Sequence, residues 1–423
     1  MAKKSSEEAL LHALYSGPQS GKDLQRILGI SQSRLSQLVG AQPDVKRFGG
    51  KRNSIYARHR TIEGHPAQHP IYRVSTLGEV EEVGQLQSIS ERGFIVEGPD
   101  SRFQVFPGLP YFTEDLRPQG YLGRIFTQRH PELELPRKIE DWTDNHTLTA
   151  ITSRGEDLPG NLIIGKKSLE SWLSKKPAGL KKPKSVRYGK IAENLLGEDI
   201  GGSSAGGEHP KFTTERSIVK FSPKISTPSG ARWADLLAAE SIALTLVGTK
   251  NRYFLEDDRA FLEVERFDRT EAGGRVGVIS LFSIVHEYLN SPRNWSQAAE
   301  NLLSEKIIDP ETRDAILFQE ALGMLIGNDD RHFGNLSFFS DFLNPSAKLK
   351  LTPTYDLLPM TFRPRNEERL PDYSLWSRPT PTPETIRVWK EASRSAKEFW
   401  SRVADSSEIS KEFKAAAKNF ARD

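Results

Sequence analysis

The residues best suited to chemistry sit in one stretch, Gly327-Asn328-Asp329-Asp330-Arg331-His332-Phe333-Gly334-Asn335, and in Asp356, 21 residues after Asn335, within Pro353-Thr354-Tyr355-Asp356-Leu357-Leu358-Pro359. A carboxylate can orient a hydroxyl nucleophile and accept its proton. An Asn carbonyl five residues later and a further carboxylate are hard oxygen donors that can hold magnesium against nucleotide phosphates. Kinase catalytic loops use an Asp and an Asn at that spacing, followed by a metal-binding Asp. The pattern points to phosphoryl transfer, with Asp330 positioning the hydroxyl and Asn335 and Asp356 as metal ligands. Asp329 is a second acid within reach. His332 would orient the loop, because no companion His or Cys stands at zinc-ligand spacing. The plain alternative is a polar loop joining a core helix to a strand.

These groups need a scaffold, and the chain offers its parts in order. Ala315–Ile326 is an apolar helical run leading into the loop. Far upstream, Gly201-Gly202-Ser203-Ser204-Ala205-Gly206-Gly207-Glu208-His209-Pro210-Lys211-Phe212 is the richest glycine stretch. Without Cβ atoms its amides can approach phosphate oxygens. It lacks the Gly-Lys-Ser/Thr ending of a P-loop, and a flexible linker is the alternative. Arg216–Phe221 reads as a strand carrying Lys220, placed to meet the α- and β-phosphates. Trp233–Val247 reads as a helix whose Glu240, or Asp235, could pair with that lysine. Arg259–Arg269 reads as a strand entering a polar turn, where a kinase hinge would meet adenine.

Asp330-x-His332-x-x-Asn335 with Tyr355-Asp356, the Ser203-x-x-Gly206-Gly207-x-x-Pro210-Lys211 loop and Val264-Glu265-Arg266-Phe267-Asp268-Arg269 together resemble the HipA-like family, the serine/threonine kinases of bacterial toxin–antitoxin systems. The order departs from ordinary protein kinases: His332 follows the Asp, and Asp356 is not in a D-F-G triplet. The resemblance covers about residues 69–400. It implies catalysis on Asp330 and a Gly-rich loop over ATP, with Ala205, Gly206, Gly207, Glu208 and His209 near the phosphates. It implies an autophosphorylated serine at Ser203, with Ser204 left open. It implies a base bound by the backbone of Glu265, Arg266 and Phe267, and a nucleotide site completed by Lys220, His332, Asn335, Tyr355 and Asp356. Family substrates are translation factors and tRNA synthetases.

The N-terminal stretch has a different character. Glu7–Tyr15, a second helix after Ser20 and a polar third helix over Gln32–Leu38 fit a helix-turn-helix. Val45–Phe48, Gly49-Gly50 and Lys51–Tyr56 fit a hairpin wing. Gln32, Ser33, Arg34 and Gln37 are candidates to reach base edges. Lys46, Arg47, Lys51, Arg52, Arg58 and Arg60 fall close together without an acid, a phosphate footprint on the same reading. A winged helix used for protein contact is the alternative. The middle alternates short strands with a Pro- and Gly-rich run, Phe106–Arg124, read as loop-rich, and a lysine-rich segment at 166–190, read as a solvated connector. Ile386, Trp389, Ala392, Ala396, Phe399 and Trp400 recur at helical spacing near the C-terminus.

At 423 residues the chain is long for one core. It has no cysteine, which excludes disulfides and thiolate metal sites and fits a cytoplasmic setting. No apolar run approaches membrane-spanning length, so no membrane partner is expected. The net charge of +3 implies no partner by itself. The expected fold class is α+β: a bilobal protein-kinase-like domain at 186–423, with its N-lobe ending near 268, preceded by a β-rich subdomain and connector at 63–185 and a winged helix-turn-helix at 1–62. The expected activity is transfer of the ATP γ-phosphoryl group, with Mg2+, to a protein hydroxyl. The alternatives are a DNA-binding regulator whose kinase domain binds ATP without transferring it, and a small-molecule kinase. The oligomeric state, a homodimer included, stays open.

Overall fold

Serines and glycines cut the N-terminal stretch into short elements in the computed structural model, which describes residues 6–50, 54–62, 65–175, 188–198, 209–289, 291–344, 347–365 and 369–422. The elements are α1 (Ser6–Ala13), β1 (Gln19–Ser20), α2 (Gly21–Leu28), α3 (Gln32–Gly40), β2 (Val45–Phe48) and β3 (Ile55–Arg58). Ser20 caps α2 by accepting from the Asp23 amide at 3.1 Å, and Ser31 caps α3 in the same way. Leu10, Leu14, Leu24, Leu35, Leu38, Val45 and Tyr56 close a small core. The antiparallel sheet runs β1-β3-β2.

An antiparallel sheet in the order β7-β6-β5-β4-β8 follows, formed by β4 (Gln68–Val74), β5 (Val80–Ser88), β6 (Phe94–Glu97), β7 (Phe103–Phe106) and, later, β8 (Leu162–Ile164). Between β7 and β8 run α4 (Gly120–Arg129) and α5 (Asp144–Arg154), and α6 (Lys166–Lys175) comes after β8. Two expectations change here. Lys166–Lys175 is a helix and not connector, because its Leu169 and Trp172 pack on Tyr72, Val74 and Ile163. The end of the Pro- and Gly-rich run enters α4, because Tyr121 and Ile125 are buried in a cluster with Phe212, Val219, Phe221 and Phe261.

That cluster also sets the boundaries. The chain divides into two compact units, residues 1–117 with 140–176, and residues 118–139 with 177–423. The winged-helix elements and the middle sheet share the first unit. Segment 118–139 belongs to the second, through α4.

In the second unit α7 (Tyr188–Glu198) precedes an antiparallel sheet in the order β11-β12-β10-β9. Its strands are β9 (Lys211–Thr213), β10 (Ser217–Phe221), β11 (Asn251–Glu256) and β12 (Arg259–Glu265), with α8 (Pro228–Leu246) between β10 and β11. The helical lobe holds β13 (Val278–Ser280), α9 (Leu281–Tyr288), α10 (Trp295–Ser304), α11 (Pro310–Leu325), β14 (Ser337–Phe339), β15 (Lys350–Leu351), α12 (Ile386–Asp405) and α13 (Lys411–Phe420). One core runs through α8, α11, α12 and α13, with Leu236, Leu317, Leu322, Phe399, Trp400 and Phe413 buried in it. This is the bilobal arrangement of a kinase, a small sheet with one long helix against a helical lobe.

The end of α11 positions the loop that carries Asp330 and Asn335, and α12 holds that end. A helix leaves its last carbonyls without helical partners. The indole Nε1 of buried Trp400 donates to the Leu325 carbonyl at 3.1 Å, just before the chain turns at Gly327 with φ of 77°. A Cβ at Gly327 would stand 3.1 Å from Thr361 and 3.2 Å from Trp376, so both space and dihedral call for glycine. Trp400→Phe keeps the packing and removes the donor. It should cost about 1–3 kcal/mol, read as a lower urea midpoint for the second unit.

Candidate active site

Lys220 lies on β10, directly opposite Lys211 of β9 in an antiparallel register. Opposite partners share a face, so two ammonium groups are presented together, a repulsive pair unless anions answer it. Acids from two other elements do. Glu240 of α8 meets the Lys220 ammonium at 2.5 Å, and the Asp356 carboxylate contacts the same nitrogen. The alternative helix acid, Asp235, is turned away and accepts from the Ser410 amide and hydroxyl at 2.7 and 2.6 Å. The Lys220 and Glu240 side chains are 7% and 0% exposed, while Asp356 is 27% exposed. The open side of the triad is therefore at Asp356.

The electrostatics follow from this burial. Desolvation pushes Lys220 toward losing its proton, but Asp356 and Glu240 outweigh it and hold the ammonium above the ordinary lysine range. Partial burial raises the Asp356 carboxyl, yet Lys220 and Lys211 bring it well below the usual carboxylate range. For Glu240 burial wins, and its carboxyl is shifted up. His209, just before β9, packs on Trp233 with ring centroids 4.2 Å apart. Burial and then the two lysines keep its imidazole neutral.

Below the triad, the catalytic loop is held by its own amides. Asn328 is buried; its Nδ2 donates to the Asp356 carbonyl at 3.2 Å, and its Oδ1 accepts from the Asp330 amide at 3.0 Å. The Asn335 Nδ2 donates to the Asp330 carbonyl at 2.8 Å, which leaves its Oδ1 as the acceptor end. An unbroken chain of contacts thus runs from Lys220 through Asp356, Asn328 and Asp330 to Asn335. The Asp330 side chain is exposed. Asp356 has φ of 53°, a left-handed backbone uncommon for a non-glycine residue and frequent at functional sites.

Tyr355 and His332 brace this arrangement. The Tyr355 hydroxyl donates to the Gly334 carbonyl at 2.8 Å and lies 2.6 Å from Ser337 Oγ. The His332 Nδ1 accepts from the Gly334 amide at 3.1 Å, and its carbonyl accepts from Trp295 Nε1 at 3.1 Å. Asp329 is drawn off by Arg363, 2.7 Å away. Phe267 of the expected hinge packs 5.8 Å from Tyr355. The other two hinge residues face their own neighbours: Glu265 pairs with Arg216 at 3.3 Å, and Arg266 forms a two-pronged pair with Asp268 at 3.0 and 3.1 Å. The Glu265 and Arg266 amides bond to the Lys250 and Arg216 carbonyls, so Phe267 offers the hinge amide without a partner among the described residues.

The donor set suits magnesium more than a protein-caged metal. Among the described residues no group of three or more His, Cys, Asp or Glu could hold a metal ion. Asn335 Oδ1 and the Asp356 carboxylate are hard oxygens that would share such an ion with phosphate and water.

Lys220, Phe267, Asp330, His332, Asn335, Tyr355 and Asp356 are therefore gathered in one unit, with His209 beside them. Ser203, Ser204, Ala205, Gly206, Gly207 and Glu208 lie outside the described residues, as do Lys51 and Arg52. On α3, Gln32, Ser33, Arg34 and Gln37 are all exposed, as is Arg47 on β2. Sequence reading missed two positions. Asn328 carries no role in the sequence pattern, although an Asn side chain commonly accepts from the backbone amide two residues on. Lys211 was quoted only within the loop, and its place opposite Lys220 follows from a strand register no local pattern reveals.

Comparison with known proteins fits this geometry. Residues 203–422 match the HipA-like C-terminal domain, and residues 65–173 match the middle domain of YjjJ-like toxins. Toxin YjjJ of Escherichia coli (strain K12) is 32% identical over 424 residues, covering 96% of this chain and 94% of that protein. HipA of Shewanella oneidensis MR-1, solved with HipB and operator DNA, shares the fold at a TM-score of 0.51 and 14% identity, over 83% of this chain and 95% of that one. The Helicobacter pylori kinase CtkA matches at a TM-score of 0.34 and 14% identity, over 52% of this chain and 89% of its own. With a curated relative at this identity along nearly its whole length and a family match across its C-terminal half, the chain belongs to the HipA-like toxin family.

Proposed function

We propose that the chain is an ATP- and magnesium-dependent serine/threonine protein kinase that phosphorylates itself at Ser203 or Ser204 and arrests growth by phosphorylating a protein substrate. The observation that carries this reading is the continuous chain of contacts from Lys220 to Asn335, which gathers a phosphate-binding cation, two hard oxygen ligands and an exposed carboxylate. Asp330 accepts the proton as a substrate hydroxyl attacks the γ-phosphorus, and ADP departs with the electrons of the broken bond. Asn335 and Asp356 would hold magnesium, which neutralises charge on the phosphates when bound. Lys220 and Lys211 face the α- and β-phosphates, and the Phe267 amide faces the base. The neutral His209 follows directly on the Gly-rich segment that the family resemblance implies for the phosphates. The exposed α3 residues Gln32, Ser33, Arg34 and Gln37, with Arg47, support a second property, binding of duplex DNA.

Intact-mass spectrometry after incubation with ATP and magnesium tests the chemistry. Wild type should gain one phosphate on Ser203 or Ser204, and Asp330→Asn should slow its appearance by about 100-fold or more. ATP binding without phosphate on wild type would replace the kinase reading with an ATP-sensing one. The triad makes a separate prediction about stability. Lys220→Met leaves Glu240 buried and unpaired, a loss of about 3–5 kcal/mol. Lys220→Met/Glu240→Gln should recover much of it in urea unfolding while staying inactive. A double variant no more stable than the single one would show that the pair is not what holds β10 to α8.

A further inference from the structure

The wing strands are already occupied. The Lys46 ammonium, counted in the phosphate footprint, pairs with Glu97 of β6 at 2.8 Å and lies 5.1 Å from the Phe48 ring centre. Glu97 also accepts from Gln87 at 2.8 Å, and Gln87 meets the His59 ring at 3.0 Å. Phe48 is fully buried with Ala57, Ile89 and Ile95, and its ring stands 6.0 Å from Phe103. Past β3 the backbone joins the middle sheet: the Ser90 amide donates to the Arg58 carbonyl at 2.9 Å, and the Arg60 amide to the Ser88 carbonyl at 3.0 Å. The Arg60 guanidinium donates to Asn145 at 2.9 Å, and Arg58 lies 4.0 Å from Asp44. Two of the expected phosphate-binding cations, Lys46 and Arg60, are thus engaged inside the first unit.

What faces outward is α3. Its Leu35 and Leu38 are buried, and Gln32, Ser33, Arg34, Ser36 and Gln37 are exposed. Arg34 and Gln37 are set against each other at 3.3 Å, and Gln32 is held by Gln25 at 2.8 Å. This face carries a guanidinium, amides and hydroxyls, and no acid. It has no exposed large apolar side chain; Ile27, the nearest in sequence, is on α2. Protein-docking faces need buried apolar or aromatic anchors at their centre. Major-groove faces need donors and acceptors matched to base edges.

We propose that α3 is the reading element of a rigid head in which β2 and β3 serve as the anchor to the middle sheet. Sequence-specific duplex DNA is contacted by Gln32, Ser33, Arg34 and Gln37, with Arg47 toward a phosphate and Lys46 contributing nothing. This deepens the DNA-binding reading above and rests on it. It changes the role that the sequence suggested for Lys46 and Arg60, and leaves Arg47 its phosphate.

The test uses the full chain and duplexes selected from a randomised pool at physiological salt, with affinity read by fluorescence anisotropy. One family of duplexes should be enriched. Arg34→Ala and Gln37→Ala should each weaken it by about 10-fold or more and relax preference at one base position. Lys46→Met should leave affinity within about 2-fold, since one lost phosphate contact would instead lower both affinity and salt slope, while the thermal midpoint falls. Failure to enrich any duplex would overturn the proposal. So would a loss with Lys46→Met equal to that with Arg34→Ala. Autophosphorylation of Arg34→Ala, followed by mass, should match wild type, so a failed kinase reading and a failed DNA reading give different results.

Discussion

Keeping one ammonium group charged out of water is the constraint on which the catalytic unit depends. An unpaired lysine buried as deeply as Lys220 would cost several kcal/mol or lose its proton. It stays charged because acids arrive from two directions, Glu240 from α8 and Asp356 from the turn after β15. Each acid fixes an element. α8 must lie along the sheet, and its Ala234, Ala238, Ala239 and Ala243 let it approach closely. The turn carrying Asp356 must adopt a left-handed backbone to reach the same nitrogen. The two acids differ in a useful way. Glu240 is wholly buried and belongs to the framework, whereas Asp356 keeps an open side.

The catalytic loop inherits its shape from this turn. Asn328 ties the Asp356 carbonyl to the Asp330 amide, so the two acids are spaced by one side chain. Trp295, Tyr355 and Trp400 hold the loop and the helix before it through single hydrogen bonds from aromatic groups. Such rigid donors lose little rotamer freedom when ordered, which suits them to fixing positions to within fractions of an ångström.

What the sequence revealed depended on whether the determining signal was local. The order of Gly-rich loop, strand lysine, helix acid and catalytic loop can be read along the chain, and the bilobal fold follows from it. The short N-terminal helices were likewise visible in Ser20, Gly29 and Ser31, residues that start and stop helices by local bonding. The sites of error were set by contacts distant in sequence. α6 looked like linker because lysines dominate its composition, and only packing on Tyr72 and Ile163 shows why it is ordered. Lys46 and Arg60 read as part of a solvent-facing footprint because Glu97 and Asn145, their partners, stand far along the chain. Cross-strand register, which aligns Lys211 with Lys220, has no local signature.

The α4 excursion has a consequence for the order in which the protein can be made. All residues of the first unit lie before position 177, so that unit can complete its core while the rest of the chain is still being synthesised. Tyr121 and Ile125 emerge during that time, but the strands that bury them end only at Phe221 and Glu265. The second unit therefore cannot mature as a purely C-terminal piece. It must reach back for a helix delivered earlier, and a chain started after the middle segment would leave Phe212, Val219 and Phe221 without the cover that Tyr121 and Ile125 give.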